Sequence, residues 1–360
     1  MSRAIRLGII GCGKVAWERH HPALQRLPEF EVRCVADPVA ERAAHIAGLF
    51  GGVETHSGHR ELTARTDLDA VAVLTHTGAH AETGCAVLDS GKHLFIEKPL
   101  ALTLQEGDSL IEARNRSGKT AQVCFNLRWH RLIIQARTII ASGALGRIKA
   151  IHSVYTHNRD GHDAPGWHRK LNLGGGVSFN EGVHHYDLWR YLTGREVTEI
   201  RSINMPSEVY EDETAVISAR LDGGVLASGV FSFLTGPNSQ VEIFGERGRL
   251  LISLYCFDGL QFYPANAYPG AIADRVKRGA KSLLALPGLI HDAGNGGAFQ
   301  STFAACWRSF AESVRTGAPP ICTLEDGRRA LAMALAAESS VQTNQPTPLA
   351  PSATDGGSGL

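Results

Sequence analysis

The sequence predicts an α/β protein: an N-terminal doubly wound parallel sheet, then a C-terminal α+β domain with a large, mostly antiparallel open sheet. Three observations predict it. Over residues 1–125, short apolar runs alternate with stretches long enough for crossover helices. After about residue 150, strand-like runs are joined by tight glycine turns, as in antiparallel hairpins. The first apolar run also passes directly into Gly11-Cys12-Gly13-Lys14-Val15-Ala16, which opens a helix.

In chain order, Ile5–Ile10, Glu31–Ala36, Ala70–Leu74, His93–Ile96 and Ala121–Phe125 read as strands buried on both faces. Val15–Leu27, Val39–Leu49, Ala79–Ser90 and Leu104–Ser117 read as the helices around them. Pro22 should kink or split the first helix, because proline lacks an N–H and its ring crowds the preceding turn. In the second domain, residues 126–345, the strand-like runs are Ile148–Asn158, Val197–Asn204, Thr214–Leu221, Val225–Phe233, Gln240–Gly245 and Arg249–Leu254. Helices are expected at Ala271–Leu286, Phe299–Thr316 and Leu324–Gln342, and residues 346–360, rich in Pro, Ser and Gly, read as a flexible tail.

Composition narrows the function classes. Thirty-six basic residues balance 36 acidic ones, so no global field favours nucleic acid or an anionic membrane. Seven scattered cysteines form no CxxC pair, which argues against a disulfide framework and for a reducing cytoplasm. No run of about 18 apolar residues is present, so no transmembrane helix is expected. The apolar start of the chain runs straight into glycines and reads as a first strand, not a signal peptide.

The Gly11–Ala16 turn carries the clearest chemistry. Gly11 permits the tight turn, Gly13 lets backbone N–H groups approach a pyrophosphate, and Lys14 and Val15 begin a helix whose N-terminus favours an anion. Asp37 ends the second strand, where a carboxylate accepts from adenosine ribose hydroxyls and repels a 2′-phosphate. The expected cofactor is therefore NAD rather than NADP, although Arg42 could partly offset that repulsion. Glu97-Lys98-Pro99 follows the fourth strand, at the carboxyl edge where such sheets bind ligands, and Lys98 could hydrogen-bond or protonate a substrate oxygen. Gly174-Gly175-Gly176 opens another helix in which Asn180 and His184, four apart, share a face, with Trp167 shortly before as an apolar wall. Histidines at 20–21, 152, 157, 162 and 184–185 make neither HExxH nor a Cys/His finger spacing, so no metal site is expected.

In order and spacing, Gly11–Ala16, His21-Pro22-Ala23-Leu24, Asp37-Pro38, Glu97-Lys98-Pro99, Gly143–Ile148 and Gly174–Asp187 resemble the Gfo/Idh/MocA oxidoreductases. The likeness runs from residue 4 to about 345. It implies a Rossmann domain, 1–125, and a second domain, 126–345, whose open sheet makes a homodimer or homotetramer. It also implies hydride transfer between NAD and a secondary alcohol of a sugar, cyclitol or sugar nucleotide. By position, Lys98 would contact the reacting hydroxyl and His184 would be the acid–base group. Asn180 departs from the aspartate of the inositol-dehydrogenase type, and an amide can orient but cannot take a proton. In that respect it is similar to members acting on sugar nucleotides. The expected site is completed by Thr75, His80 and Glu97 on the cofactor and by Asn126, Arg128 and Tyr186 on the substrate. Two other readings remain open: a cofactor- or sugar-sensing protein without catalysis, and an enzyme that recycles tightly held NAD in place.

Overall fold

Six strands, β1 (Ile5–Ile10), β2 (Phe30–Ala36), β3 (Glu54–His56), β4 (Ala70–Val73), β5 (His93–Ile96) and β6 (Ala121–Val123), pair in the order β3-β2-β1-β4-β5-β6. Every pairing is parallel. The structure, a computed structural model, describes residues 3–159, 165–266, 268, 272–294 and 297–349; the end of the expected tail and His162 lie outside them. The strand order reverses direction between β1 and β4, which opens a crevice at the carboxyl ends of the strands. Leu7, Ile9, Val71, Val73, Leu94 and Ile96 are all buried, as a sheet covered on both faces requires. The edge strand β3, Glu-Thr-His, carries no apolar signal and was not expected.

Local chemistry explains the helices. Pro22 does split the first one, as Ala16–His20 is a wide π-helical turn and His21–Leu24 resumes as α-helix with Pro22 in its first turn. There the missing N–H costs nothing. Leu104–Ser117 is capped by Thr103, whose hydroxyl accepts from the Glu106 N–H while Glu106 accepts the Thr103 N–H at 3.0 Å.

The chain divides into two compact units, and their limits differ from the expected 1–125 and 126–345. The first unit takes Met1–Asn126 and the short stretch Asn172–Gly174, and then recovers Gln300–Leu331 from the C-terminal part. Aromatic packing draws that segment back: Trp307 stacks on Phe95 at 3.8 Å between ring centroids, and Phe310 packs on Phe30 and Phe95. Polar contacts pin it, with Arg328 paired to Asp108 and Cys322 C=O accepting from Val123 N–H. Hydrophobic periodicity reports that a helix has an apolar face, not which sheet covers it.

The second unit is built on β7 (Ile148–Asn158), β8 (Val197–Met205), β9 (Thr214–Leu221), β10 (Leu226–Ser232), β11 (Leu234–Gly245), β12 (Gly248–Ser253), β13 (Leu260–Pro264) and β14 (Thr347–Pro348). They run in the order β13-β12-β11-β7-β10-β9-β8-β14. Only β7 and β10 pair in parallel. One face buries Ile151, Ile217, Phe231, Val241 and Ile252 under the helices Arg131–Ala141 and Gly182–Thr193. The other face presents Ile203, Val216, Leu226 and Phe244 to solvent, Ile203 with 66% of its surface exposed. The helix expected at Ala271–Leu286 is longer and runs through Pro287, over Ile272–Gly294.

Candidate active site

In the first unit the glycine turn has the geometry its sequence requires. Gly11 adopts φ +94, and a Cβ there would lie 2.6 Å from the Leu74 backbone, so only glycine fits between β1 and the loop after β4. A Cβ at Gly13 would meet nothing, which leaves open space above the turn for a pyrophosphate. Ala16 is buried, while Lys14 and half-buried Val15 lie at the surface. Lys14 pairs only loosely with Glu18, at 3.8 Å. Asp37 ties the end of β2 to the turn: its carboxylate accepts from Cys12 N–H at 2.8 Å and from Val39 N–H at 2.9 Å. Each oxygen keeps a second lone pair, and Asp37 lines a cleft with Pro38, Ala40, Thr55, His56 and Ser57. The turn and the cleft fit an adenine dinucleotide.

The loops after β4 and β5 meet beside this turn. Thr75 is half exposed and its backbone abuts Gly11. His80, expected to touch the cofactor, is fully buried, with Nδ1 2.8 Å from Pro99 O and Nε2 3.1 Å from Thr75 O. It straps the two loops together, and burial pushes its pKa down. Lys98 remains half exposed.

Glu97 also departs from its expected role as a cofactor contact. Its side chain is buried; Oε1 lies 2.9 Å from His20 Nε2, and Oε2 accepts the Lys98 N–H at 3.0 Å. Burial works against its charge, but the hydrogen bond from His20 and the charge of Lys98 hold its pKa down at about 2. Asn126 is buried and donates to Thr302 Oγ1 at 2.8 Å, so its amide is engaged inside the unit.

His20, Glu97 and Cys124 bring one potential ligand atom each within 4.8 Å, the closest approach to a metal site among the described residues. The imidazole argues against an ion. Trp307 Nε1–H donates to His20 Nδ1 at 3.1 Å, so that nitrogen must keep its lone pair and the proton must sit on Nε2. A metal on Nε2 would force the proton onto Nδ1, against the indole N–H. The cluster is a hydrogen-bond network. His20 looked only like a tempting ligand in the sequence, and its partner Trp307 is 287 residues away.

In the second unit the glycine-rich entry is equally constrained. Gly176 adopts φ +80, with Asp212 2.9 Å from where its Cβ would be, and a Cβ at Gly175 would lie 2.4 Å from Trp167 O. Asp212 Oδ2 accepts from Ser178 N–H at 2.9 Å and Ser178 Oγ–H at 2.6 Å, anchoring the turn Val177–Asn180. Burial raises the Asp212 pKa, and the Ser178 bonds oppose that rise. The expected single helix is broken at Glu181, after which Gly182–Thr193 continues. Asn180 is buried; His184 is half exposed, alone in this respect from Gly174 to Arg190. Trp167 is half exposed on a short 3₁₀ turn, packed on His168.

Two expected substrate contacts lie in the core instead. Arg128 and Asp187 form a buried bidentate pair, with Nε to Oδ2 at 2.8 Å, and the guanidinium covers Tyr191 at 4.7 Å. Tyr186 is wholly buried against Trp189 and Phe231. Two residues apart on a helix means about 200° of rotation, so with His184 facing outward Tyr186 faces inward. Burial drives the Tyr186 pKa well above its ordinary value, which removes it as a base. His185, its neighbour, is also buried and is pushed down to about 4, hence neutral at pH 7.

The chain is 26% identical to the scyllo-inositol 2-dehydrogenase (NAD(+)) of Bacillus subtilis over 362 residues, 97% of each chain. It is also 26% identical to the dTDP-3,4-didehydro-2,6-dideoxy-alpha-D-glucose 3-reductase of Actinomadura kijaniata, over 90% of this chain and 92% of that one. Among solved structures, the WlbA dehydrogenase of Bordetella pertussis in complex with NADH and UDP-GlcNAcA is similar in fold, with a TM-score of 0.81, 21% identity, and 98% and 99% of the two chains covered. Residues 5–125 match the oxidoreductase family with an NAD-binding Rossmann fold, and residues 133–251 match the GFO/IDH/MocA C-terminal domain. The chain therefore belongs to the Gfo/Idh/MocA family of NAD-binding oxidoreductases.

Proposed function

We propose that this chain catalyses reversible hydride transfer between NAD and a secondary alcohol of a sugar, cyclitol or sugar-nucleotide derivative. The observation that carries the reading is Lys98, a half-exposed lysine at the carboxyl end of β5 in a dinucleotide fold, its backbone amide held by an ionised Glu97. NAD, when bound, takes or returns the hydride at nicotinamide C4. Gly11, Gly13, Lys14, Val15, Asp37 and Thr75 hold it. Lys98 hydrogen-bonds the substrate oxygen and steadies the charge that develops there. In oxidation His184 takes the hydroxyl proton, Asn180 orients and Trp167 supplies an apolar wall. Relatives named for scyllo-inositol and for a dTDP-sugar support the substrate class.

The test is NADH formation by the purified protein with myo-inositol, scyllo-inositol and UDP-sugars. Lys98→Ala and His184→Ala should each lower turnover by roughly a hundredfold or more, with NAD affinity kept. If both variants turn over like the parent, the assignment is wrong. NADH that never accumulates while product forms would favour recycling in place.

The open face bearing Ile203, Val216, Leu226 and Phe244 supports a homodimer or homotetramer through this sheet. A monomer mass by light scattering at micromolar concentration would overturn that. No disulfide joins any of the seven cysteines, all of which lie among the described residues, and this supports the cytoplasm; a disulfide found by mass spectrometry of the native protein would argue against it.

A further inference from the structure

His20 and Trp307 have no part in the chemistry above, yet they are among the most constrained side chains of the first unit. The imidazole has no solvent exposure and is fenced edge-on by Phe95, Phe303 and Trp307, at 5.2 to 5.8 Å between ring centroids. One nitrogen accepts from an indole that can only donate, and the other therefore points its proton at Glu97. The second oxygen of Glu97 holds the amide of Lys98. Trp307 thus donates to His20 and His20 to Glu97, and the same carboxylate accepts the backbone N–H of the proposed reacting lysine.

We propose that His20 and Trp307 are positioning residues for the reaction. Trp307 holds His20 in its Nε2–H tautomer, His20 holds the Glu97 carboxylate by a hydrogen bond, and Glu97 holds the Lys98 segment in place. The inference rests on the reading of Lys98 as the lysine at the substrate oxygen. Trp307→Phe keeps the stack on Phe95 but removes the donor. The imidazole proton can then move to Nδ1, leaving a lone pair facing the carboxylate. A buried carboxyl without its donor favours the neutral form. The Lys98 backbone N–H then loses its charged acceptor, the segment is held less firmly, and the lysine becomes easier to acylate.

Two measurements on the full chain with NAD test this. Long-range 15N–1H correlation of histidine-labelled protein reads the His20 tautomer, assigned by its loss in His20→Gln. The expected result is a proton on Nε2 in the parent and a proton on Nδ1, or a mixture, in Trp307→Phe. Acetic anhydride labelling of Lys98 at fixed pH, read by peptide mass spectrometry, should be several-fold faster in Glu97→Gln, Trp307→Phe and His20→Leu. His20→Gln, which can keep an N–H toward Glu97, should restore most of the parental rate. A parent proton on Nδ1, or parental labelling in both Trp307→Phe and His20→Leu, overturns the proposal. Should Trp307→Phe not fold, the parent tautomer and the His20→Leu against His20→Gln contrast decide. Unimpaired turnover in Lys98→Ala, with the tautomer and labelling results as expected, would instead remove the functional reading and leave the chain of contacts standing.

Discussion

Arg128 was expected at the substrate, and its observed place predicts a different penalty for removing it. The Asp187 side chain is 1% exposed and that of Arg128 is 6% exposed, so Arg128→Ala leaves a carboxylate buried without its counter-charge. Breaking such a pair costs about 3–5 kcal/mol. At about 2–4 °C per kcal/mol for a domain of this size, the melting temperature should fall by roughly 6–20 °C. Differential scanning calorimetry, with and without NAD, measures it. The paired replacement Arg128→Met with Asp187→Leu should recover most of the loss, because no charge then remains to be desolvated. A substrate-binding arginine would behave otherwise: the melting temperature would hold and KM would rise. That outcome for Arg128→Ala would refute the assignment of the pair to the core.

Three further outcomes are expected. Asp37→Ala should weaken NAD binding more than NADP binding, narrowing the preference by about tenfold, as read by titration of cofactor fluorescence; an unchanged ratio would remove Asp37 from cofactor selection. Asn180→Ala should reduce turnover less than His184→Ala, since an amide can only orient, and steady-state kinetics on the identified substrate will rank the two. His185 and His130 each have pKa values lowered to about 4 by burial, from 6.5. The unfolded chain therefore binds more protons between those values, and stability falls as pH drops from about 6.5 toward 4. Each histidine should cost roughly 2 kcal/mol on going from pH 7 to pH 5. Urea unfolding at the two pH values checks the slope, and His185→Phe should flatten it; an equal slope in that variant contradicts the assignment.

What the sequence determined by itself is local and periodic. Buried parallel strands are apolar throughout, so β1, β2, β4, β5 and β6 were legible. A turn that must hold φ +94 against a neighbouring backbone admits only glycine, so Gly11 announced the cofactor loop. His184 stood out in the sequence by its glycine-rich entry and by Asn180 four residues before it, and the structure leaves it half exposed. The tertiary structure decided everything that depends on partners distant in sequence. Whether a polar side chain faces a ligand or a counter-charge is set by what folds against it: Arg128 met Asp187, His80 met two carbonyls, and Glu97 met His20. The helix Gly297–Thr316 looked the same in sequence whichever sheet it would cover. Its aromatic face matched Phe30 and Phe95, and so a tryptophan at position 307 came to set the tautomer of a histidine at position 20.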